Sequence, residues 1–318
     1  MVLEELILRY YLKIFSIIFA ISFFYIIYIF LIKDIKLNNP NILIKKNQNI
    51  SSLLSYNLND SNRFNIFLYS NFLKLYNHFS FKIHYGEFLL KKDSNFYQFT
   101  KLITQPSNII KRITIVEGWT YTQLNELLKK HFENFNKIEH SAILADTFFL
   151  NSSQTFDDFK KKLINFKNSF FKNRINNPIF NDYTVKDLII LGSLIEKEGI
   201  DYIDKKKIFS VLINRLNKNM KLQIDATVIY AITEGKYKLN RNLTYNDLKI
   251  NHPYNTYFIY GLPPEPISYV GLKTIELMLE NYTTDYLFYF YNKFDEKHIF
   301  SKTYLEHKQK LNEYRAKE

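Results

Sequence analysis

The distribution of apolar and polar positions begins with one long apolar segment near the N-terminus. Nineteen residues without a charge, Ile14–Ile32, lie between Lys13 and Lys33. As a helix rising about 1.5 Å per residue, the segment is roughly 28 Å long, close to the hydrocarbon thickness of a bilayer. It is longer than the apolar part of a signal peptide, and no small-residue cleavage site follows it. The segment therefore predicts a transmembrane anchor (14–32) after a short cytoplasmic N-terminus (1–13), with a buried core helix as the ordinary alternative.

Shorter periodic segments follow as far as about residue 135, and they alternate between strand and helix patterns. Apolar residues at every second position predict strands, and longer apolar stretches without Gly or Pro predict helices. Strands are predicted over Asn41–Lys45, Phe81–Leu90 and Ile110–Val116, and helices over Phe64–Phe79, Phe96–Leu102 and Tyr121–His131. The pattern predicts small α+β modules, divided into a tether with a first module (33–110) and a linking region (111–183).

The clearest helix of the sequence begins after Thr184. Thr184 and Asp187 have the spacing of a capping box, and Gly199 follows the last residue with helical patterning. Apolar residues between Leu188 and Ile195 cover every face of this helix. A helix that is apolar all round is expected inside a core, so residues 184–318 are predicted to form a domain around it.

The rest of the chain continues the alternation of helices and strands. The predicted elements are helices over Lys205–Asn217, Ala226–Thr233 and Leu272–Glu280, a strand over Lys221–Ile224, a hairpin pairing Tyr286–Tyr291 with His298–Ser301, and a charged C-terminal helix. Asp225 directly precedes one of these helices and is predicted to be its N-cap. The predicted fold class is α+β, with an N-terminal transmembrane helix, a small α+β region and a larger α+β domain built on a core helix.

Length and composition narrow the classes of protein. A chain of 318 residues is too long for one ordinary core, and 47% hydrophobic residues argue against disorder. The absence of Cys excludes a disulfide scaffold, a zinc–thiolate site, an iron–sulfur cluster and a cysteine nucleophile. The sequence contains no phosphate-binding loop and no His-x-x-x-His pair, so we expect no cofactor and no metal.

The net charge of +12, from 43 Lys and Arg against 31 Asp and Glu, would also suit a nucleic-acid partner. However, the chain is rich in Asn, Lys, Ile, Phe and Tyr, which are residues that AT-rich codons supply. We attribute the charge to this compositional drift and expect no nucleic acid to bind.

Glu196 and Glu198, at the end of the apolar helix, are the candidate chemical groups. A carboxylate on a core helix loses solvation, which raises its pKa and keeps it protonated near neutral pH. Residues two apart lie about 200° apart around a helix, so the two carboxylates cannot form a close pair. We expect Glu196 to face a cleft, because the small residues Gly192 and Ser193 leave room beside it, and Glu198 to meet a structural Lys or Arg. Two solvated glutamates in a last helical turn are the ordinary alternative.

Three later segments carry polar groups that suit a sugar ligand. Gln223 and Asp225 lie where a strand gives way to a helix, and Tyr254 and Asn255 join an aromatic ring to an amide. Ser268 ends a loop in which three prolines fix the backbone. Capping and turn formation explain each segment equally well when it is taken alone.

Taken together, the segments form an ordered set of motifs. They have the sequences IEKEG, VLINRL, MKLQIDATVIY, PYNTY and GLPPEPIS, and IVEGWT precedes them at residues 115–120. In this order they resemble the MltG (YceG-like) family of membrane-anchored endolytic murein transglycosylases, over about residues 110–302. The chain departs from the family pattern where Ala226 replaces a proline and where Ala231 and Glu265 replace glycines. These departures leave open whether the loops, and with them the activity, are altered.

The resemblance implies a LysM-like region within residues 33–110 and a catalytic domain over residues 184–318. It implies a lytic transglycosylase, a carbon–oxygen lyase that cleaves the β-1,4 bond from MurNAc to GlcNAc and leaves 1,6-anhydro-MurNAc ends. Such an enzyme would terminate the elongation of nascent peptidoglycan strands from the periplasmic or outer side of the bacterial inner membrane. Its implied partners are glycan strands, the membrane that it crosses once, and peptidoglycan synthases.

By the same resemblance one glutamate, Glu196, acts as the catalytic acid and base. The polar residues that are expected to bind substrate are Gln223, Asp225, Tyr254, Asn255 and Ser268. Secondary or structural roles fall to Glu198, Thr227 and Tyr230. Two alternatives stay open: a lysozyme-like hydrolase, which uses water, and a non-catalytic peptidoglycan-binding membrane protein.

Overall fold

The computed structural model describes residues 2–45, 48–60, 62–79 and 82–317. The predicted ranges also include residues that lie outside this description, namely 1, 46, 47, 61, 80, 81 and 318. The chain divides into two units. Unit 1 comprises Met1–Arg112 with Phe149–Gln154, and unit 2 comprises Ile113–Phe148 with Thr155–Glu318.

Unit 1 begins with the apolar helix α1 (Val2–Ile27), which a π-helical turn, Tyr28–Ile32, continues. The 26 residues Ile7–Ile32 are long and apolar enough to cross a bilayer, and nearly all of their surface is exposed. A core helix would be covered by the rest of the protein, so this exposure favours a helix that faces lipid. The end of the segment enters the core of unit 1, because Ile29 is buried and its carbonyl oxygen accepts the Tyr69 hydroxyl at 3.0 Å.

The following elements of unit 1 alternate strands and helices. They are β1 (Asn41–Ile44), α2 (Ile50–Asn57), α3 (Arg63–His78), β2 (Gly86–Leu89) and α4 (Phe96–Ile103). β1 and β2 pair antiparallel with Asn41 opposite Leu89, so the chain passes through two helices between two paired strands. In the core, the rings of Tyr69 and Phe96 stack with their centroids 3.9 Å apart. The apolar aromatic stretches of the sequence therefore pack as helices against a small sheet.

The next strands frame a capped helix. The elements are β3 (Ile110–Thr114), α5 (Tyr121–Leu128), β4 (Thr147–Asn151) and α6 (Phe156–Lys172), and β3 pairs with β4. The predicted capping box of α5 is present, since the Thr120 N–H donates to Gln123 Oε1 at 2.9 Å. Because the last residues of the predicted helix fold as turns, α5 ends at Leu128, before the predicted His131.

Helices predominate in the remainder of unit 2. The elements are α7 (Val185–Glu198), α8 (Tyr202–Asn217), α9 (Asp225–Thr233), α10 (Leu272–Leu279), β5 (Phe288–Asn292), β6 (Lys297–Ser301) and α11 (Tyr304–Arg315). β5 and β6 form the predicted antiparallel hairpin, with Phe288 opposite Ser301. The mixture of helices with small two-stranded sheets confirms the α+β fold class.

The core of unit 2 forms around α7. Its predicted capping box is present, because the Thr184 N–H donates to Asp187 Oδ2 at 2.9 Å, and the helix ends before Gly199. All eight residues from Leu188 to Ile195 are buried, as the all-round apolar pattern predicts.

Most of the predicted linking region, residues 113–148 and 155–183, lies in unit 2. Leu144, Phe170 and Phe171 lie in this range, and they pack in the same core as α7. Because these apolar side chains are buried together with α7, the predicted boundary at residue 184 falls inside unit 2.

The segment before α9 also differs from its prediction. Lys221–Ile224 is not a strand. The Arg215 guanidinium donates hydrogen bonds to the carbonyl oxygens of Lys221 and Leu222, at 3.2 and 2.8 Å, so these oxygens are not available to a neighbouring strand. Within the segment, Gln223 adopts a left-handed φ of 54°. Asp225 is the first residue of α9 and Ile224 is its N-cap, so the prediction that Asp225 is the N-cap is wrong and its carboxylate does not cap the helix.

Candidate active site

The last turn of α7 places its two glutamates in different surroundings. Residues two apart on a helix point about 200° away from each other. Glu196 points towards α8 and the backbone just before α10. Glu198 instead faces the start of α9 and the β5–β6 hairpin. Each carboxyl group therefore has its own environment within unit 2.

Glu196 is held in a buried ion pair. Its side chain is 2% exposed, and its Oε2 lies 2.5 Å from Lys205 Nζ on α8. Its Oε1 accepts the Gly271 N–H at 2.9 Å, and Lys205 also donates to Thr274 Oγ1 at 3.2 Å. Because both carboxylate oxygens have partners, Glu196 joins α7 to α8 and α10 and is closed to a ligand.

The space that the sequence predicts beside Glu196 is filled by chain. A Cβ at Gly192 would lie 2.6 Å from a methyl carbon of Val270. Ser193 has no exposed surface, and its Oγ accepts the Ile267 N–H at 3.1 Å. The small residues therefore admit the segment 267–270 against α7, and this packing corrects the expectation of a cleft at Glu196.

Gly271, whose N–H donates to Glu196, lies close to the side chain of Glu117. A Cβ at Gly271 would lie 2.2 Å from Glu117 Cγ, so a larger residue there would require the Glu117 side chain to move. The Gly118 N–H donates to the Tyr269 carbonyl at 2.8 Å, and the Tyr269 N–H donates to the Trp119 carbonyl at 2.8 Å. The IVEGWT segment thus holds the backbone that follows the proline-rich loop.

Glu198 lies in a partly buried site where its neighbours set its protonation. Burial, followed by the negative charge of Asp225, raises the pKa of Glu198 to about 7. His298, the Ala226 N–H and the Tyr289 hydroxyl act in the opposite direction. Within the described part of the chain, Glu198 has no ion pair with Lys or Arg. A carboxyl group with this pKa is about half protonated at neutral pH.

Asp225 supplies the second carboxyl group of the site. The Tyr257 hydroxyl donates to Asp225 Oδ1 at 2.6 Å. Burial and this hydrogen bond to a carboxylate raise the pKa of Tyr257, so Tyr257 keeps its proton and continues to donate. Asp225 is exposed whereas Glu198 is largely buried, so one of the two neighbouring carboxyl groups is open to solvent.

Two residues of the hairpin support Glu198 from β5 and β6. His298 Nδ1 lies 2.9 Å from Asp204 Oδ2, and these side chains are 5% and 11% exposed. The Tyr289 ring packs edge-on against His298 with centroids 5.3 Å apart. Burial of its hydroxyl raises the pKa of Tyr289 well above the usual range. The His298–Asp204 pair therefore braces a phenol that stays protonated and can donate to Glu198.

Two predicted substrate-binding residues, Asn255 and Ser268, have no exposed surface. Asn255 Nδ2 donates to the carbonyl oxygens of Leu248 and Ile250 at 3.1 and 2.8 Å. The Ser268 hydroxyl donates to the Ser193 carbonyl at 3.1 Å. In this structure both side chains are therefore buried and bonded to backbone carbonyl oxygens, and neither is exposed to a ligand.

The other predicted residues occupy a range of positions. Gln223 is exposed, and Tyr254 is half-buried with its ring 4.8 Å from that of Tyr230. Thr227 is fully buried and bonds Thr256 through their hydroxyls at 2.8 Å, which suits a structural role. Gln223 and Tyr254 therefore keep the access to solvent that a ligand needs.

Tyr257, Tyr289 and His298 belong to the site although the sequence did not single them out. Tyr257 ends the PYNTY segment, whose aromatic and amide groups suit a sugar ligand. Tyr289 and His298 lie in a correctly predicted hairpin, but strand periodicity carries no information about which helix end the hairpin meets. Among the described residues, no group of His, Asp and Glu could hold a metal ion. The assembled carboxyl and phenol groups suit acid–base chemistry.

The fold matches that of a solved protein. The crystal structure of a YceG-like protein from Listeria monocytogenes aligns with a TM-score of 0.54 and 24% identity, covering 86% of this chain and 99% of that chain. At this identity the likeness defines the fold, an α+β arrangement of helices and small sheets.

Sequence comparison then identifies the family. The model of the YceG-like family matches residues 42–313, so the chain belongs to the YceG-like family and the resemblance is confirmed. The endolytic murein transglycosylase of Bacillus subtilis (strain 168) is 36% identical over 228 residues, which are 68% of this chain and 62% of that protein. That of Streptococcus pneumoniae serotype 2 (strain D39) is 38% identical over 109 residues, 33% of this chain and 19% of that protein. The chain thus spans less than two thirds of the length of these relatives.

Removing one partner of the buried ion pair should destabilise unit 2. Glu196→Ala leaves the Lys205 ammonium buried and unpaired, and we expect a loss of about 3–5 kcal/mol in the free energy of unfolding. Denaturant unfolding of the full chain in detergent measures it. Asp295→Ala, which removes the exposed partner of Lys297, is the control and should cost less than about 1 kcal/mol. Equal effects of the two substitutions would contradict a structural role for Glu196.

Glu198 should make stability fall as pH rises. Its pKa is about 7 in the folded chain against an ordinary value of 4.5, so the folded state keeps a proton that the unfolded state has released. Between these values the free energy of unfolding should drop by about 3 kcal/mol in total. Glu198→Gln removes this dependence. In urea unfolding, the free energy of unfolding of the variant should therefore rise relative to that of the wild type from pH 4.5 to pH 7. A difference that is constant across this window would refute the assignment.

Proposed function

We propose that the chain is a membrane-anchored lytic transglycosylase that cleaves the glycan strands of peptidoglycan. Its family membership supports this, because the relatives from Bacillus subtilis and Streptococcus pneumoniae are named endolytic murein transglycosylases. The observation that carries the proposal is Glu198, a largely buried carboxyl beside Asp225 whose pKa is raised to about 7. A general acid that cleaves a glycosidic bond at neutral pH needs this protonation state.

In the first step, Glu198 replaces Glu196 as the proposed acid. Glu198 donates its proton to the oxygen that links MurNAc to GlcNAc, and the bond from that oxygen to C1 of MurNAc breaks. Positive charge then develops at C1. The exposed carboxylate of Asp225 lies beside Glu198 and is the group that would stabilise this charge.

In the second step, the ionised Glu198 takes the proton of the C6 hydroxyl of the same MurNAc. The oxygen on C6 bonds to C1, which closes the 1,6-anhydro ring without adding water. Glu198 ends the cycle protonated, as it began, so one carboxyl group serves as acid and then as base. Such proton transfer contributes about 10²–10⁴-fold to the rate, so orientation of the sugar must supply the remainder.

The neighbouring groups have separate roles in this scheme. Tyr257 holds Asp225 through its hydrogen bond, and Tyr289 stabilises the ionised Glu198 between the two steps. Gln223 and Tyr254 lie at the accessible rim, where they would contact the sugars. The proposed catalytic set is therefore Glu198 and Asp225, with Tyr257 and Tyr289 as positioning residues.

The apolar segment Ile7–Ile32 would anchor the enzyme in the bacterial inner membrane, with the residues that follow it on the periplasmic or outer side. Residues 33–110 contain the strand β1, the helices α2 and α3 and the pairing strand β2, followed by α4, and we propose that this region is LysM-like and holds glycan. An anchored enzyme would meet strands as they leave the membrane. Cleavage there would terminate strand elongation, beside the peptidoglycan synthases that make the strands.

A matched pair of substitutions tests the proposed function. Glu198→Gln should reduce the formation of 1,6-anhydro ends from purified glycan strands by about 10²–10⁴-fold, because an amide cannot donate the proton. Glu196→Gln makes the same chemical change two residues away and keeps an oxygen that can accept a hydrogen bond from Lys205 or Gly271, so its folded fraction should stay within a few-fold of the wild type in activity. Mass spectrometry distinguishes anhydro ends from reducing ends, since they differ by one water.

Each other outcome has a defined meaning. Reducing ends from the wild type would identify a lysozyme-like hydrolase, and no cleavage at all would favour a non-catalytic binder. Activity lost in Glu196→Gln but kept in Glu198→Gln would return the catalytic role to Glu196.

The pH dependence of cleavage tests the role of Asp225. For the wild type, kcat/KM should decrease above about pH 7, where Glu198 loses its proton. Asp225→Asn removes the charge that raises the pKa of Glu198, so this alkaline limb should move to lower pH. Asp285→Asn, which changes an exposed carboxylate paired with Lys302, is the control. An alkaline limb that stays in place in Asp225→Asn would show that the two carboxyl groups are not coupled.

A further inference from the structure

A cavity of about 570 Å³ lies beside the proposed catalytic residue, within unit 2. Its wall includes Lys197, the residue before Glu198, and Ala226, whose backbone N–H faces the Glu198 carboxyl. Gln123 on α5 and Tyr230 on α9 add polar groups to the wall. The cavity is therefore adjacent to the site, and the mechanism above makes no use of it.

The cavity has a positive lining. Lys197, Lys236 and Lys238 line it, and no Asp or Glu does so among the described residues. Lys236 pairs with Glu234, but Lys197 and Lys238 have no carboxylate partner in the described part of the chain. Desolvation lowers the pKa of Lys197, but the residue remains exposed, so its ammonium can be reached by a ligand.

A lining of this kind favours an anionic ligand. An ammonium group without a counter-ion gains a partner when a carboxylate binds to it, and such charge-assisted hydrogen bonds are strong. In peptidoglycan the interior sugars carry hydroxyl and acetamido groups and are uncharged. The carboxylates belong to the peptide that is attached to the lactyl group of MurNAc.

We propose that this cavity binds carboxylate groups of the stem peptide while Glu198 acts on the glycan strand. The inference rests on the proposed function and adds a substrate determinant to it. Because the peptide branches from MurNAc and not from GlcNAc, a peptide held in the cavity would place the C1 of a MurNAc at Glu198. The cavity would thus select which of the two alternating glycosidic bonds is cleaved.

Two substrates prepared from the same peptidoglycan test this inference with the full chain in detergent. One is glycan strands that carry their stem peptides, and the other is the same strands after an amidase has removed the peptides, which leaves only the short lactyl carboxylate on each MurNAc in place of the peptide carboxylates. The variant Lys236→Ala/Lys238→Ala should lose roughly three- to tenfold more kcat/KM on the peptide-bearing strands than on the stripped strands, chiefly through KM. Both lysines lie beyond the end of α9, so the change leaves α7 and its glutamates in place.

Charge, not side-chain bulk, should determine this selectivity. Lys236→Arg/Lys238→Arg keeps both charges and should restore the wild-type ratio between the two substrates. Lys302→Ala removes an exposed lysine elsewhere in unit 2 and should not change that ratio. Equal losses on both substrates in the double alanine variant, or no loss on either, would overturn the inference. Failure of the proposed function has a different result, because the wild type would then form no anhydro ends from either substrate.

Discussion

The burial of α7 on every side is the constraint on which the rest of unit 2 depends. A charge at the end of such a helix must either find a partner or be neutralised by a proton, because an isolated ion in a core costs several kcal/mol. The chain uses both solutions two residues apart. Glu196 is paired with Lys205, whereas Glu198 has a pKa near neutrality and no cationic partner of its own among the described residues. The first solution joins three elements, and the second leaves a carboxyl group that can exchange its proton at neutral pH.

The environment of Glu198 depends in turn on one buried arginine. Arg215 Nε donates to the Leu287 carbonyl at 2.7 Å, just before β5, and Nη1 donates to the Leu222 carbonyl at 2.8 Å, just before α9. The hairpin supplies Tyr289, and α9 supplies Asp225, so a single guanidinium fixes both walls that face Glu198. It does so through backbone carbonyl oxygens, which explains why the segment from residue 221 is not the strand that its alternating pattern predicts.

Local signals of the sequence predicted many of the elements, although not the segment before α9, and they did not predict the contacts between elements. The capping pair Thr184 and Asp187, the apolar run of α7 and the final hairpin each depend on neighbouring residues, and their predictions agree with the structure. The environments of Glu196 and Glu198 depend on the direction in which each side chain points from α7. A spacing of two residues gives the angle between two side chains but not which of them faces the core, and the position of Lys205 decides this. The burial of Asn255 could not be predicted for a related reason, because an amide suits a sugar and a buried turn equally well.

The helical period places the side chains of three consecutive residues at the end of α7 in three different environments. Successive side chains turn by about 100°, so Glu196, Lys197 and Glu198 point in three directions from one turn. The first enters the core, the second lines the positively charged cavity and the third faces Asp225. Because all three directions are set by one helix whose residues Leu188–Ile195 are buried, the distance from the cavity to the acid cannot vary independently of the fold. A cavity and an acid on separate loops would need a closing motion to set that distance, whereas here the folded core provides it in advance.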